Sequence, residues 1–333
     1  MITIKQVSEL SGVSKSTVSR VITGKGSVSA ASRKRVEQAI EQLGYRPNQV
    51  AQSLKRQQSD MIGLLVVHLG SPFYAELMGG VQEALRELGK DLIVASGYGT
   101  IEGEKRAVET LRSRGCDGLI CFFEGEHPPE YLRLLSNQMP IVVLNRRDLE
   151  EMFSCISIDN YHGSCLATQH LIDNGHRDIV YFSGPNSLYD ANQRLSGFVD
   201  TMRKNGLTVD EGSIVTGQYS PDSGYERLLQ LSKHRQQLPS AIYAADDDIA
   251  AGVYRAAREL GVDIPGDLSI IGYDNADFSQ HMYPGLTTIK QPLKDLGKQS
   301  VILMQSLLQQ EHVDSETIKP EVIERKSVKL NNG

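Results

Sequence analysis

Residues 12–22 read Gly-Val-Ser-Lys-Ser-Thr-Val-Ser-Arg-Val-Ile, and this stretch decides the fold expected for the beginning of the chain. A glycine that can end one helix stands two residues before Ser14, which can cap the next. The residues that follow place three aliphatic side chains on one helical face: Val18, Val21 and Ile22. Residues 3–10 begin with a possible cap at Thr3 and have their own stripe of Ile4, Val7 and Leu10. Two short helices joined by a tight glycine-containing turn form a helix-turn-helix unit.

A third helix is predicted after this pair. Ser29 or Ser32 can cap its beginning, and Gly44 followed by Pro47 ends it. Its apolar stripe consists of Val36, Ile40 and Leu43. We therefore expect residues 1–47 to fold as a small all-α unit.

The polar face of the second helix suggests contact with DNA. In a helix-turn-helix unit, the first residues of the second helix face base edges in the major groove, and hydroxyl groups hold phosphates. The candidates are Thr3 of the first helix and Ser14, Lys15, Ser16, Thr17, Ser19 and Arg20 of the second. The alternative is that these are ordinary solvated side chains, which any small helical unit carries.

The net charge of −6 conceals an uneven distribution. Residues 1–60 contain ten lysines and arginines against four acidic residues, a net charge of +6. The rest of the chain has 25 basic and 37 acidic residues, a net charge of −12. This distribution of charge indicates that only residues 1–60 bind a polyanion.

Composition and motifs exclude several other classes of protein. The chain has 333 residues, 40% of them hydrophobic, which is enough for two or three globular domains. No apolar run approaches the roughly 20 residues that span a bilayer, and no signal-peptide pattern is present. No C-x-x-C pair, dinucleotide loop, phosphate loop or catalytic motif occurs, so we expect no cofactor, no metal and no enzymatic activity. The four cysteines are read as reduced, buried thiols in the cytoplasm: Cys116, Cys121, Cys155 and Cys165.

From residue 61 the pattern alternates apolar runs with amphipathic segments, which is typical of an α/β core with parallel sheets. Strands are predicted at residues 62–67, 92–95, 118–123, 141–144, 179–183, 241–245 and 268–272. Helices are predicted at residues 73–89, 104–114, 163–174, 193–205, 224–234, 249–261 and 295–309. These strands are too numerous for one small sheet, so two lobes with a cleft between them are expected.

Polar residues cluster at the predicted carboxyl ends of the strands, where open α/β sheets bind ligands. Three of them follow predicted strands: Asn145, Asp246 and Asp274. Arg194 begins a helix, and Phe73 with Tyr74 follows the first strand. Carboxylate, amide and guanidinium groups pair with sugar hydroxyls, and an aromatic side chain packs on the sugar ring. Alternatively, Asp246 with its two acidic neighbours caps a helix, and the aromatic residues belong to the core.

The beginning of the chain resembles the LacI/GalR family of bacterial transcriptional repressors at residues 3–7, 12–21 and 44–48. The resemblance implies that residues 48–54 form a hinge helix only on operator DNA. It also implies that two such helices, one from each subunit of a dimer, place their leucines in the minor groove. Asn48, Gln52 and Leu54 match the hinge positions.

The resemblance extends over almost the whole chain, with the galactose-repressor-like branch as the most similar. It implies a core related to periplasmic sugar-binding proteins. It places Phe73, Asn145, Arg194, Tyr219, Asp246 and Asp274 at effector positions, with Tyr74, Arg146 and Asp190 nearby. Asp246 departs from the family pattern, because many members carry Asn there, and this puts the identity of the ligand in doubt.

The resemblance also implies a domain organisation. A helix-turn-helix domain is expected at residues 1–47, a hinge at 48–59 and an effector-binding core at 60–333. The N-lobe would comprise about 60–159 and 291–321, and the C-lobe about 160–290 and 322–333. No leucine-rich tetramerisation helix follows Leu330, so a homodimer is expected.

The function implied is that of a cytoplasmic repressor of a carbohydrate-utilisation operon. A small sugar or sugar derivative would control its affinity for a pseudo-palindromic operator. Two alternatives stay open: a regulator of the same family that responds to a purine or nucleoside, and a solute-binding sensory protein.

Overall fold

The protein is described by a computed structural model over residues 2–24, 26–45, 59–311 and 314–331. The chain forms two compact units, residues 1–60 and residues 61–333, which we call the head and the core. The hinge candidates Asn48, Gln52 and Leu54 lie outside the described residues. No helix in the described ranges is both long and apolar enough to cross a membrane.

The head contains three helices, as predicted: α1 (Ile4–Ser11), α2 (Lys15–Thr23) and α3 (Ala30–Leu43). Thr3 and Gln6 form a capping box at α1, whereas Ser14 and Ser29 accept backbone N–H bonds at the starts of α2 and α3. The small core consists of Val7, Val18, Val21, Val36 and Ala39. Leu10 was expected in this core but is 47% exposed, because Ser11 takes the buried position at the end of α1.

The core contains twelve strands and eight helices within the described residues. The strands are β1 (Met61–Val66), β2 (Asp91–Ser96), β3 (Gly118–Phe122), β4 (Ile141–Leu144), β5 (Ser154–Ile158), β6 (Ile179–Ser183), β7 (Ile214–Thr216), β8 (Ala241–Ala244), β9 (Ser269–Asp274), β10 (Thr287–Lys290), β11 (Glu316–Ile318) and β12 (Glu321–Ile323). The helices are α4 (Pro72–Glu87), α5 (Ile101–Ser113), α6 (Pro129–Ser136), α7 (Asn160–Asp173), α8 (Tyr189–Lys204), α9 (Pro221–His234), α10 (Asp247–Leu260) and α11 (Leu293–Leu308).

The strands form two six-stranded sheets, which define the two lobes. The N-lobe sheet has the order β11-β5-β4-β3-β1-β2 and is parallel throughout. The C-lobe sheet has the order β12-β10-β9-β8-β6-β7, and only β12 runs antiparallel to its neighbour. Buried apolar clusters fill both faces of the N-lobe sheet and the interior of the C-lobe.

The chain passes between the sheets three times: after β5, after β10 and after β11. As a result α11, late in the sequence, packs on α4 in the N-lobe. Gly80 and Gly297 make this contact close, because a Cβ at Gly80 would collide with the backbone carbonyl of Lys294.

Several elements of the core are absent from the sequence-based prediction. Strands β7, β11 and β12 have three residues each, which is too short to display a periodic pattern. The prediction also missed strands β5 and β10, where serine or threonine interrupts the apolar run, and the eight-residue helix α6. Helix α8 begins four residues earlier than predicted, at Tyr189. Asp190 and Arg194 therefore lie one helical turn apart on α8.

Candidate functional site

A cavity of about 320 Å³ lies between the two lobes of the core. Its walls follow β1 and β3 in the N-lobe, and β6 and β8 in the C-lobe. In both sheets these are the neighbouring strands between which the strand order reverses, the place where open α/β sheets bind ligands. The lining residues are Val67, His68, Ser71, Phe73, Tyr74, Phe122, Glu124, Pro185, Leu188, Asp190, Arg194, Gln218, Tyr219, Asp246, Asp248 and Asp274.

Arg194 lies at the centre of the C-lobe wall and is only 3% exposed. Its Nε donates to Asn160 Oδ1 at 2.8 Å, and its Nη1 donates to the Ala245 carbonyl at 2.6 Å. Its guanidinium carbon lies 3.9 Å from the centre of the Tyr273 ring. These contacts fix the plane of the guanidinium, so that it presents a rigid edge to the cavity.

Asp190 and Asp274 flank the same guanidinium, with oxygens 3.5 and 3.9 Å from its terminal nitrogens. Asp274 also accepts a 2.5 Å hydrogen bond from Gln291 Nε2. Its backbone φ of 111° is rare for any residue but glycine, a form of strain that recurs at ligand sites. Burial raises the pKa of Asp274 to about 6, although Arg194 opposes the shift.

Asp246 caps α10 and lines the cavity with the same carboxyl group. Its Oδ1 accepts the backbone N–H of Ile249 at 2.6 Å, and the side chain is 6% exposed. Burial and the nearby Asp274 raise the pKa of Asp246 well above its ordinary value. The two interpretations of Asp246, helix cap and ligand contact, are therefore compatible.

The next two acidic residues differ in their surroundings. Asp247 is 1% exposed and accepts hydrogen bonds from Thr288 Oγ1 at 2.6 Å and Ala276 N at 2.8 Å. It therefore holds the loop after β9, whereas Asp248 faces the cavity. Within the described ranges, no group of three or more His, Cys, Asp or Glu residues is arranged to hold a metal ion.

An aromatic cluster forms the N-lobe wall. The rings of Phe73, Tyr74 and Phe122 meet edge to face, with centroids 5.0 to 6.0 Å apart. Tyr219 lies on the C-lobe side, and its buried hydroxyl has no hydrogen-bond partner within the described structure. The cavity thus combines apolar ring faces with carboxylate and guanidinium groups, a combination that suits a polyol ring.

Seven of the nine predicted effector residues line this cavity: Phe73, Tyr74, Asp190, Arg194, Tyr219, Asp246 and Asp274. Asn145 and Arg146 do not. Asn145 has a φ of 54°, and its side-chain oxygen accepts the backbone N–H of Ile158 at 2.9 Å, so the amide is used within the N-lobe. Arg146 forms a salt bridge with Asp148 at 2.8 Å. Both line a smaller adjoining pocket of about 20 Å³.

The sequence-based prediction missed Glu124, which follows β3 and lines the cavity. Tyr74 donates a hydrogen bond to its Oε1 at 3.5 Å. Burial, with the charges of Asp190 and Glu104, raises the pKa of Glu124 to about 7. Glu124 directly follows a predicted strand, as Asp246 does, so the same pattern could have identified both residues. His68, Ser71, Gln218 and Asp248 were also missed.

A larger cavity of about 530 Å³ lies elsewhere in the N-lobe. It opens at the amino-terminal ends of β4 and β5, near the end of α11, and none of the predicted site residues lines it. We therefore place the candidate site in the smaller cavity between the lobes.

The head presents the predicted nucleic-acid face. Ser14, Lys15, Ser16 and Arg20 are exposed, and Thr17 and Ser19 are partly exposed. Ser14 accepts the backbone N–H of Thr17 at 3.2 Å, and its hydroxyl lies 2.8 Å from that of Ser16. These bonds fix the first turn of α2, and Thr3 is exposed at the start of α1.

A helix-turn-helix head joined to a two-lobed core with a polar cleft defines the class of ligand-responsive DNA-binding regulators. The comparisons with known proteins agree with this class. Residues 3–48 match the model for bacterial regulatory proteins of the lacI family, and residues 168–328 match the periplasmic binding protein-like domain. The chain belongs to the lacI family, and it is a DNA-binding transcriptional regulator with a small-molecule effector.

Two curated relatives cover almost the entire chain. The chain is 35% identical to the HTH-type transcriptional repressor PurR of Proteus mirabilis, over 98% of this chain and 97% of the relative. It is 35% identical to the ribose operon repressor of Escherichia coli, over 98% of this chain and 100% of the relative. Both relatives are transcriptional repressors.

Solved structures extend the likeness to the fold. The lac repressor dimer bound to operator and an anti-inducer matches with a TM-score of 0.89 and 29% identity, over 98% of this chain and 99% of that one. A LacI family regulator from Enterococcus faecium with bound ribose matches with a TM-score of 0.73 and 29% identity, over 82% of this chain and 100% of that one.

Proposed function

We propose that this regulator represses a carbohydrate-utilisation operon and that a small sugar or sugar derivative, bound in the cleft between the lobes, controls its operator affinity. The observation that carries the proposal is the composition of the cleft. Fixed carboxylates and one buried arginine face an aromatic wall at the switch points of both sheets.

A homodimer on a pseudo-palindromic operator is the proposed active form. In this arrangement two copies of α2 enter the major groove through Lys15, Ser16, Thr17, Ser19 and Arg20. Ser14 and Thr3 lie beside the phosphates, and Asn48, Gln52 and Leu54 act in the hinge. The exposed basic and hydroxyl groups at the start of α2 support this assignment. For a regulator in this role we propose action in the cytoplasm and no enzymatic activity.

We propose that residues 1–47 form the helix-turn-helix DNA-binding domain, residues 48–59 the hinge and residues 60–333 the effector-binding and dimerisation region. The core would divide into an N-lobe of about 60–159 and 291–321 and a C-lobe of about 160–290 and 322–333. The alternation of strands between the two sheets supports this division.

The effector would control the affinity for the operator because it binds in the cleft between the two lobes. A ligand that contacts both walls stabilises one arrangement of the lobes over another and thereby shifts the operator-binding equilibrium. Typical coupling free energies of about 1–3 kcal/mol correspond to roughly 5- to 150-fold changes in affinity.

The test is an electrophoretic mobility-shift assay of the full chain with the DNA upstream of its own gene. We expect retardation at moderate salt, and a change in retardation when the effector is added. A scrambled duplex of equal length is the control. Equal retardation of both duplexes, or none of either, would contradict the proposal.

A purine or nucleoside effector is the second candidate. The edge-to-face cluster of Phe73, Tyr74 and Phe122 favours it, since aromatic walls also receive planar bases. Thermal shift against neutral sugars and nucleobases separates the two candidates. A ligand present at a hundred times its Kd stabilises the protein by about 2.7 kcal/mol.

A further inference from the structure

Carboxylates are the most numerous polar groups of the cleft. Five carboxylates line it: Glu124, Asp190, Asp246, Asp248 and Asp274. The one arginine of the lining, Arg194, already donates to Asn160 and to a backbone carbonyl and lies beside two of these carboxylates. The cleft therefore holds five carboxylates against a single guanidinium, and its remaining donors are the hydroxyls of Ser71, Tyr74 and Tyr219, the Gln218 amide and the His68 ring.

Two of these carboxylates come from opposite lobes. Glu124 follows β3 in the N-lobe, and Asp190 lies in the first turn of α8 in the C-lobe. Both also line the adjoining pocket of about 20 Å³. A pocket of this volume holds one water-sized group, such as a hydroxyl or an ammonium.

Two other polar side chains of this small pocket, Asn145 and Arg146, make hydrogen bonds within the N-lobe. The guanidinium of Arg146 donates to Asp148 from Nε at 2.9 Å and from Nη2 at 2.8 Å. The side-chain oxygen of Asn145 accepts the N–H of Ile158. The carboxylate of Glu124 accepts one long hydrogen bond from Tyr74, and that of Asp190 accepts the N–H of Ala191 at 2.9 Å and lies 3.5 Å from Arg194. Because a carboxylate has about four acceptor positions, both can still accept from a ligand group.

Glu124 is held in place by buried contacts beneath it. Glu104, 1% exposed, accepts the backbone N–H of Glu124 at 2.9 Å and that of Gly125 at 3.2 Å. The other oxygen of Glu104 lies 2.6 Å from His127 Nε2. These contacts fix the backbone of the loop at Glu124, so the Glu124 carboxylate has a defined place in the wall of the cleft.

We infer that the effector of this cleft presents hydroxyl or ammonium donors to a carboxylate pair formed by Glu124 and Asp190, and that it carries no phosphate or carboxylate group. This inference rests on the proposed function, because it specifies the ligand of the same cleft. A donor between the two carboxylates bridges the lobes and screens the repulsion between them. An anionic group would add negative charge beside these acidic side chains in a partly desolvated site, where the guanidinium of Arg194 is already engaged.

The test uses matched ligands that differ in charge. Calorimetry on the full chain at constant ionic strength compares ribose with ribose 5-phosphate, galactose and galactosamine with galactose 6-phosphate, and adenosine with AMP. We expect at least one neutral or amino compound to bind, and its phosphorylated counterpart to bind at least tenfold more weakly. A phosphate that binds as tightly as its neutral counterpart overturns the inference, and so does a panel in which nothing binds.

Two variants connect the discrimination to Glu124. Glu124→Gln should reduce the ratio of neutral to anionic affinity at least threefold. Glu130→Gln, which removes an exposed carboxylate from α6 in the same lobe, should keep the wild-type ratio. Equal ratios for the two variants and the wild type would overturn the assignment to Glu124.

Operator binding, measured on the same samples, separates this inference from the proposed function. Operator binding that only a phosphorylated compound alters would overturn the inference alone. Loss of all specific operator binding would overturn the proposed function.

Discussion

Arg194 and the carboxylates around it illustrate how single residues define the ligand of this regulator. The guanidinium is fixed by buried partners, so a bound hydroxyl would meet it without reorganisation of the site. The surrounding carboxylates differ in burial and therefore in their pKa values. Ligand affinity should consequently depend on individual side chains and on pH.

Asp274→Asn tests one of these side chains. The change removes a charged acceptor but keeps the size of the side chain, and Asn tolerates the left-handed backbone at this position. Loss of a charged hydrogen bond of about 1.5–3 kcal/mol should weaken effector binding roughly 10- to 150-fold. Calorimetry with the identified effector measures this, and operator affinity should stay at the wild-type value. Asp277→Asn, in the exposed part of the same loop, is the matched control; equal losses in both variants would remove Asp274 from the site.

The raised pKa of Glu124, about 7, predicts a pH-dependent affinity. A ligand hydroxyl donates to the ionised carboxylate, so binding below pH 7 requires Glu124 to lose a proton. Affinity should therefore rise between pH 5.5 and about 7 and level off above that. Because Asp274, with a pKa of about 6, titrates in the lower part of this range, Glu124→Gln should remove only the upper part of the rise. A rise above pH 6.5 that persists in Glu124→Gln would show that another group titrates.

Arg20 tests the nucleic-acid face at the same scale. Arg20→Ala should weaken operator binding by about 1–3 kcal/mol and relax the base preference at one position, if Arg20 makes a bidentate base contact. Arg33→Ala removes the same charge from α3 and should leave base preference unchanged. Competition binding against operators with single base substitutions distinguishes the two, and an unchanged preference in Arg20→Ala would refute the base contact.

At the scale of elements, the packing of α4 on α11 depends on Gly80 in α4 and Gly297 in α11. A Cβ at Gly80 would collide with the Lys294 carbonyl, whereas a Cβ at Gly79 meets nothing within 4 Å. Gly80→Ala should therefore destabilise the protein by about 1–3 kcal/mol through overpacking. Gly79→Ala should be neutral or stabilise it by about 0.5–1 kcal/mol, because alanine is the better helix former. Urea denaturation of both variants provides the measurement, and equal midpoints would contradict the close contact.

Periodicity and capping residues predicted the long elements well. The three helices of the head carry caps at Thr3, Ser14 and Ser29, and the buried strands β1, β3 and β4 are continuous apolar runs. The three-residue strands β7, β11 and β12 were beyond prediction, since their pairing depends on neighbours distant in sequence. Strands β5 and β10 and the short helix α6 were missed as well.

The candidate site was predictable only in part, for a geometric reason. The position after a strand identifies the edge of a sheet where a ligand binds, but not the direction in which a side chain points. Asp246 and Asn145 both follow strands, yet only Asp246 lines the cleft, because the turn at Asn145 directs its amide to Ile158. Asp190 lines the cleft from the first turn of α8, which begins earlier than the apolar pattern of this helix predicts.

At the scale of the whole molecule, the uneven charge separates two kinds of binding. The basic first 60 residues would release counterions from operator DNA, so the logarithm of operator affinity should fall linearly with the logarithm of salt concentration. A neutral effector displaces few ions from the acidic core, so its affinity should change less than threefold over the same range. The two slopes are measured by fluorescence anisotropy for the operator and by calorimetry for the effector, both at salt concentrations from about 50 to about 200 mM. Equal slopes would contradict this separation.

The three passages of the chain between the lobes have a consequence for synthesis of the protein. The N-lobe sheet acquires β11, and α4 acquires its partner α11, only after the whole of β6 to β10 has been made. A nascent chain that ends at Lys290 has five N-lobe strands but lacks α11, so the surface of α4 that packs on α11 has no partner yet. Neither lobe is then complete, and both acquire their remaining elements only when residues 293–323 have been made.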